Sequence, residues 1–531
     1  MPPKHHSPRP QPQPRLTRTA RGVVLALAGL LGCSLPHRIA QTATGPEDAG
    51  KSGTGGLASA GRSGAAARSG NGGVGAITAS PADAGIGCPE SLSDRLTVSL
   101  LRPDIDIRYK RPGYDMQPRD ENVLFSVSPN GQRIALVLRE NNDAFILVIK
   151  LTAQLTRVAR DTIVSAFDPS GLVAHDDGSV VMLVQRPDIG EPLRDTTFQG
   201  SMVYGLAVHM IHLRDLDELF DVPLTGTRSI TRPRNPSARD CAAPFLNGRL
   251  AWNGAKYGAY FAVHGCEGDA HEPLYGDKLV YVSDTGEFLP GGWDWNCTIS
   301  QGMRLLPGPS TFTSLCMADT LPAAGLNLVT EGVPSRQLAP ERAENGYSAG
   351  TFGSLLRLDD GSFLVGWTGR GVTPTAATEP RPSQALRQAN DIAILHLAAD
   401  YSVTQPLTWL TATPEIAETN LHVALYGPNR LLILWDAIEG LSCTERTCWG
   451  TYTGTFARLV DYQGNRLTPD TPIDAPPNSE QDLVIFPDGD IGWAFVPDDS
   501  RNYAAPLTTS NGVPNVPVKR TVGIARLRYC E

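Results

Sequence analysis

The chain has 531 residues, 41% of them hydrophobic and 19% charged, with a net charge of −9. That is globular composition with room for several domains or one large repeat fold. An acidic chain repels phosphate backbones, which argues against nucleic acid as a partner.

The N-terminus reads as an address. Residues 1–21 are basic and proline-rich, and "GVVLALAGLLGC" then ends at Cys33. The apolar run is shorter than the roughly 20 residues a membrane helix needs, so it predicts a secretory signal over 1–32. Lys4, Arg9, Arg15, Arg18 and Arg21 are the charges in that segment, and removing them takes the balance from −9 to −14. The end of the run, Leu30-Leu31-Gly32-Cys33, resembles the lipobox of bacterial lipoproteins. The resemblance implies cleavage before Cys33, a diacylglycerol on its sulfur, and a lipid-anchored protein of the cell envelope. Ser34 follows, with no aspartate, which by resemblance to enterobacterial sorting favours the outer membrane. The alternative is ordinary secretion with cleavage further on, after Ala43.

Residues 33–85 are rich in Gly, Ala, Ser and Thr and poor in large apolar side chains. Such a segment cannot offset its chain entropy by burial, so a flexible tether is expected. Within it, "GPEDAGKS" (Gly45 to Ser52) matches a phosphate-loop pattern. A working phosphate loop needs a strand before it and a helix after it. Neither is present, so no nucleotide is expected.

Residues 86–531 form the folded domain in this reading. "LFSVSPNGQRIALVL" (124–138) is two apolar runs around a turn. The arrangement recurs at 171–185, 249–263, 303–317, 355–367, 421–435 and 482–496. The turn glycines stand at 131, 178, 254, 308, 361, 427 and 489, on average about 60 residues apart. Further apolar runs follow most hairpins, as in "DAFILVIKL" and "DIAILHLAADYSV", making the unit four strands. Repeated four-stranded units predict an all-β fold, a β-propeller of seven blades ahead of six or eight. The alternative is a tandem of two-sheet sandwiches. The last unit has three strands, and "RLTVSLL" (95–101) is expected to supply its fourth and close the ring. "SVSPNGQRIALV" resembles the repeats of TolB-like and WD40-like propellers, with Asn130 in place of the usual aspartate. That resemblance supports the fold and carries no function.

Nine cysteines are present, and lipidation of Cys33 leaves eight. Export makes disulfides the expectation. Proximity suggests Cys241–Cys266, Cys297–Cys316 and Cys443–Cys448, leaving Cys88 with Cys530 near the two ends of the domain. No C-x-x-C pair occurs, so no metal site is expected at these cysteines, nor at His264 and His271 around Cys266. His209 and His212 fall on opposite faces of one strand. Asp176-Asp177 and Asp359-Asp360 read as turn residues, and "RDLDELFD" (214–221) lacks the glycine of a calcium loop.

No nucleophile elbow, zinc-protease helix or sialidase box appears, so no catalytic residue and no cofactor is assigned. Trp293 and Trp295 in "WDWNC" share one strand face and could stack on a sugar ring. Long insertions at 186–200, 266–276, 370–390 and 439–450 all fall between the second and third strands of a unit. In a propeller they would gather on one face, where binding usually sits. The expectation is a binding or scaffold module for a protein, peptide or glycan. The alternative is a propeller hydrolase or lyase acting on polysaccharide.

Overall fold

A computed structural model describes residues 88–530, apart from 104, 106, 109, 113–117, 121–122, 140–144, 159–160, 188–196, 199–200, 203–205, 216, 226–239, 243–246, 266–274, 295–301, 319–324, 340–349, 372–374, 377–386, 406, 444–447, 479–480, 498–501, 504–517 and 520. The signal segment with Cys33, the tether and "GPEDAGKS" lie outside the described residues. Among the described residues no helix is long and apolar enough to cross a membrane.

Seven antiparallel blades of four strands follow one another along the chain, and a fifth, short strand joins the sheets of blades 3, 4 and 6. Blade 1 is 124–127, 133–139, 146–152 and 162–164. Blade 2 is 167–174, 180–187, 206–214 and 217–223. Blade 3 is 248–252, 257–265, 275–282 and 288–294; blade 4 is 303–307, 312–318, 325–330 and 333–339. Blade 5 is 350–357, 363–369, 391–397 and 408–409; blade 6 is 417–425, 430–443, 448–461 and 471–473. The first strands of successive blades are neighbours, and that of blade 7 meets that of blade 1. They form the inner wall of a seven-bladed propeller.

Blade 7 takes strands from both ends of the domain. Its order is 484–485, 491–495, 522–527 and then 96–101. The outer strand pairs antiparallel with the last one, Leu96 opposite Leu527 through Leu101 opposite Val522. This is the closure expected from "RLTVSLL". A disulfide joins Cys88 to Cys530 across a sequence separation of 442. Beside it, the Arg528 amide donates to the Arg95 carbonyl at 3.0 Å, and Tyr426 Oη donates to the Arg528 carbonyl at 2.7 Å.

Each blade has a neighbour on both faces, which explains the sequence of its middle strands. "FLVGWTG" (363–369) and "DIAILHL" (391–397) are buried at every position. They read as continuous apolar runs rather than alternating ones. Outer strands alternate more, and 96–101 leaves Val98 and Leu100 exposed. The apolar core is divided into clusters between blades. Val181, Phe261 and Val280 pack blade 2 on blade 3, and Leu326, Trp367 and Leu395 pack blade 4 on blade 5. Phe125, Ile149 and Ile524 join blade 1 to blade 7. Leu92, on the short helix Leu92–Arg95, seals the cluster between blades 6 and 7 with Trp493 and Leu527.

The turn glycines work as their spacing predicts at six of seven places, where φ is positive; Gly308 is the exception. At Gly427 a side chain would also collide with Tyr529, whose ring lies 2.5 Å from the position a Cβ would take.

The closure has a measurable consequence. A disulfide spanning so long a loop restricts the unfolded chain strongly, so its loss should cost about 2–5 kcal/mol. The paired variant Cys88→Ser/Cys530→Ser should melt several degrees lower by calorimetry. An unchanged melting temperature would show that strand pairing alone closes the ring.

Candidate functional site

Antiparallel pairing decides which face carries which loops. The start of each first strand lies beside the end of the second, as Gly350 lies opposite Gly369 and Met303 opposite Cys316. Segments leaving the second strands at 187, 265 and 369 therefore emerge at the end where the inner strands begin. The connections that cross from one blade to the next reach the same end. The other end carries the tight glycine turns.

One insertion is not the loop that the sequence suggested. Residues 439–450 are largely strand: 430–443 and 448–461 pair in one long ladder, with Cys443 opposite Cys448 and a disulfide between them. Cys448 is buried against Ala389, Ala417 and Ile438, so this hairpin leans on the end of the 370–390 insertion. The foot of that insertion is fixed by Arg370 and Arg387, where the Arg387 amide donates to the Arg370 carbonyl at 2.9 Å and Arg370 Nε to the Arg387 carbonyl at 2.8 Å. Arg387 also stacks over Trp409, 4.4 Å from the ring centre.

Charged side chains gather where the inner strands begin. Arg249 is the second residue of the blade 3 inner strand, and Arg304 holds the same place in blade 4. Both pair with Asp482, just before the inner strand of blade 7: Arg304 Nε lies 2.8 Å from Oδ1 and Arg249 Nε 3.6 Å from Oδ2. In a ring of seven, blades 3 and 4 are the two farthest from blade 7. Asp482 therefore reaches the opposite wall of the ring at this end. Its segment is tied to the wall on the way in. Trp493 Nε1 donates to the Ala475 carbonyl at 2.7 Å, Asn420 Nδ2 to the Pro477 carbonyl at 2.9 Å, and Gln481 Nε2 to the Phe125 carbonyl at 3.3 Å. On the other flank Arg139 pairs with Asp168, and both are buried.

A second group lies between blades 5 and 6. Asp391 receives Arg387 at 2.5 Å and the Thr413 amide at 3.0 Å. Thr413 Oγ1 donates to Glu418 Oε1 at 3.1 Å. Burial, and next the Asp391 charge, push the Glu418 carboxyl from 4.5 up to about 8. Glu418 thus holds its proton at neutral pH. A protonated carboxyl beside a second carboxyl is an arrangement that acid–base catalysis uses. Here both are sealed, Glu418 at 4% exposure and Asp391 at 2%, which suits a structural role.

The other residues singled out by sequence are scattered. Trp293 sits on the outer strand of blade 3, half-buried, with Tyr260 at 6.4 Å, in the packing between blades 3 and 4. Trp295, Cys266, Cys297 and His271 lie outside the described residues, as do the side chains of Cys241 and His264. Cys316 is buried and disulfide-bonded. His209 Nδ1 meets Asp221 Oδ1 at 2.5 Å, while His212 packs on Phe220 at 5.0 Å. Burial first, then the nearby His175, hold His212 down to about 4. Asp177 and Asp360 accept amide hydrogens from Ser179 and Ser362, both at 2.9 Å, and so build turns. "RDLDELFD" runs into the outer strand 217–223, with Asp215 before it at positive φ. Among the described residues no group of three or more His, Cys, Asp or Glu could hold a metal ion.

Arg249, Arg304, Asp391, Glu418 and Asp482 were not singled out from the sequence. The available signal was weak: "GRLAW" and "GMRLLP" place an Arg-Leu pair at the same point of two successive repeats.

The Glu418 proton predicts a pH dependence. Its folded value lies above its unfolded one, so the stability it contributes is complete below about pH 4.5 and is lost as pH rises through about 8. Glu418→Gln has no proton to lose. Thermal melts should show the variant gaining on the wild type between pH 5 and pH 9, by a few kcal/mol at the upper end. A constant difference across that range would contradict the assignment.

No family model and no curated protein matches the chain. Solved structures resemble it at low identity. Prolyl oligopeptidase B from Galerina marginata is 10% identical with a TM-score of 0.36, over 72% of this chain and 47% of that one, so the chain spans about half of that enzyme's length. Hydrazine synthase from Kuenenia stuttgartiensis is 11% identical with a TM-score of 0.37, over 79% and 97%. A protein of unknown function from Dyadobacter fermentans is 10% identical with a TM-score of 0.33, over 81% and 99%.

Proposed function

We propose that this chain is a lipid-anchored propeller of the bacterial cell envelope that binds a protein, peptide or glycan on its insertion-rich face. The observation that carries the reading is the gathering of the foot of the 370–390 insertion, the Cys443–Cys448 hairpin and the Arg249–Asp482–Arg304 bridge at one end of the ring. Loops held on a rigid scaffold can present a fixed surface at little entropic cost. The anchor rests on the "LLGC" run ending at Cys33, and the outer membrane on Ser34.

A polysaccharide hydrolase or lyase would need carboxyl groups open to the channel, about 5–10 Å apart. Among the described residues of this face, Glu418 and Asp391 are buried and Asp482 is held by two arginines. Binding without turnover fits these groups better.

The test is a crosslinking pull-down from intact cells. The full-length chain should capture one saturable partner. Shortening 372–385 should abolish capture, and Cys33→Ser should release the protein from the membrane fraction. Capture that survives the shortening would move the site elsewhere. Turnover of a polysaccharide at enzyme-like rates would overturn the reading.

A further inference from the structure

We propose that Arg249 and Arg304 form a carboxylate-recognition site for an acidic peptide, and that Asp482 is its resident occupant. The inference rests on the reading of the insertion-rich face as the binding face and names the ligand chemistry of that face.

The three partners are not equivalent. The side chains of Arg304 and Arg249 are 6% and 11% exposed, while that of Asp482 is 43% exposed. The cations are set in the wall and the anion comes in from the solvent side. Each arginine is also oriented without Asp482. Arg249 Nη1 donates to the Gly248 carbonyl at 2.7 Å, and Arg304 Nη1 to the Met303 carbonyl at 2.8 Å. Arg304 also lies over the Phe352 ring, 5.5 Å from its centre. The guanidinium groups thus keep their places when the carboxylate between them is exchanged. A planar guanidinium suits a carboxylate better than other anchors do.

The resident shows what kind of chain fits. Asp482 arrives on a peptide whose carbonyl at Pro477 accepts from Asn420, while the Phe125 carbonyl of the wall accepts from Gln481. The wall therefore already answers a main-chain carbonyl and a side-chain amide of the peptide that leads to the bridge. Of the two tryptophans that could stack on a sugar, Trp293 is on an outer strand and Trp295 lies outside the described residues. An acidic peptide fits the mouth better than an acidic sugar. A half-exposed carboxylate is also screened by salt and exchanges readily.

The experiment uses the purified full chain and a labelled, capped synthetic peptide of residues 474–483. A second peptide carries Asn in place of Asp482. The protein variant Asp482→Asn leaves the arginines without their resident. It should bind the first peptide about tenfold more tightly than the wild type does, as removal of a competing charge requires. The gain should vanish with the second peptide, and with Arg304→Gln added to the variant. If that double variant fails to melt cooperatively, Arg249→Gln replaces it, and competition by sodium acetate gives the same readout on Asp482→Asn alone. No gain, or a gain indifferent to the peptide's aspartate, to the arginines and to acetate, would overturn the proposal. A gain for an oligogalacturonate but not for the peptide would overturn the peptide assignment. Because only purified protein and peptide are used, the outcome is separate from whether the 372–385 loop is needed for capture in cells.

Discussion

Ring closure is the constraint on which the rest depends. A blade buries both faces only if it has a neighbour on each side, and the first and last blades have one only if the ring shuts. Strand 96–101 does this by pairing with 522–527, so blade 7 is built from both ends of the domain. The two clusters flanking blade 7 rely on it. One holds Phe125, Ile149 and Ile524, and the other Leu92, Trp493 and Leu527. The Cys88–Cys530 bond fixes the same junction covalently. An open ring would expose the apolar faces of blades 1 and 7.

Closure also sets the geometry of the mouth. Arg249 and Arg304 stand on the adjacent blades 3 and 4, and Asp482, at the start of blade 7, meets them only across the channel. Once the ring is shut, Asp482 comes within 2.8 Å of Arg304. The same geometry keeps the Asp391–Glu418 pair sealed between blades 5 and 6, where it fixes the foot of the 370–390 insertion through Arg387. One carboxyl group of this face is therefore open to solvent and held by cations, and another is closed and neutral. That difference separates a recognition surface from an interior support.

Much of the fold was legible because it is local and repeated. Glycines at 131, 178, 254, 361, 427 and 489 mark hairpins by a backbone need that few residues meet. The missing fourth strand of the last unit pointed to "RLTVSLL" by counting. The mouth was not legible in that way. Arg249 and Arg304 look like single polar residues in apolar strands, and only the ring brings Asp482 to them. Residues 439–450 do fall between the second and third strands, as an insertion would, but the cross-strand bond at Cys443 and Cys448 prolongs the ladder into them. "WDWNC" drew attention through its aromatic density, yet Trp293 packs between blades. The anchor remains a reading of Cys33 and its apolar run.

The most direct measurement is site-specific photocrosslinking in intact cells. A photoreactive residue would replace Arg370, at the insertion foot, in one strain and Asp360, in a turn at the opposite end, in another. The account predicts one discrete adduct from position 370 and none from position 360. Adducts from 360 alone, or equal adducts from both, would contradict the assignment of binding to the insertion-rich face.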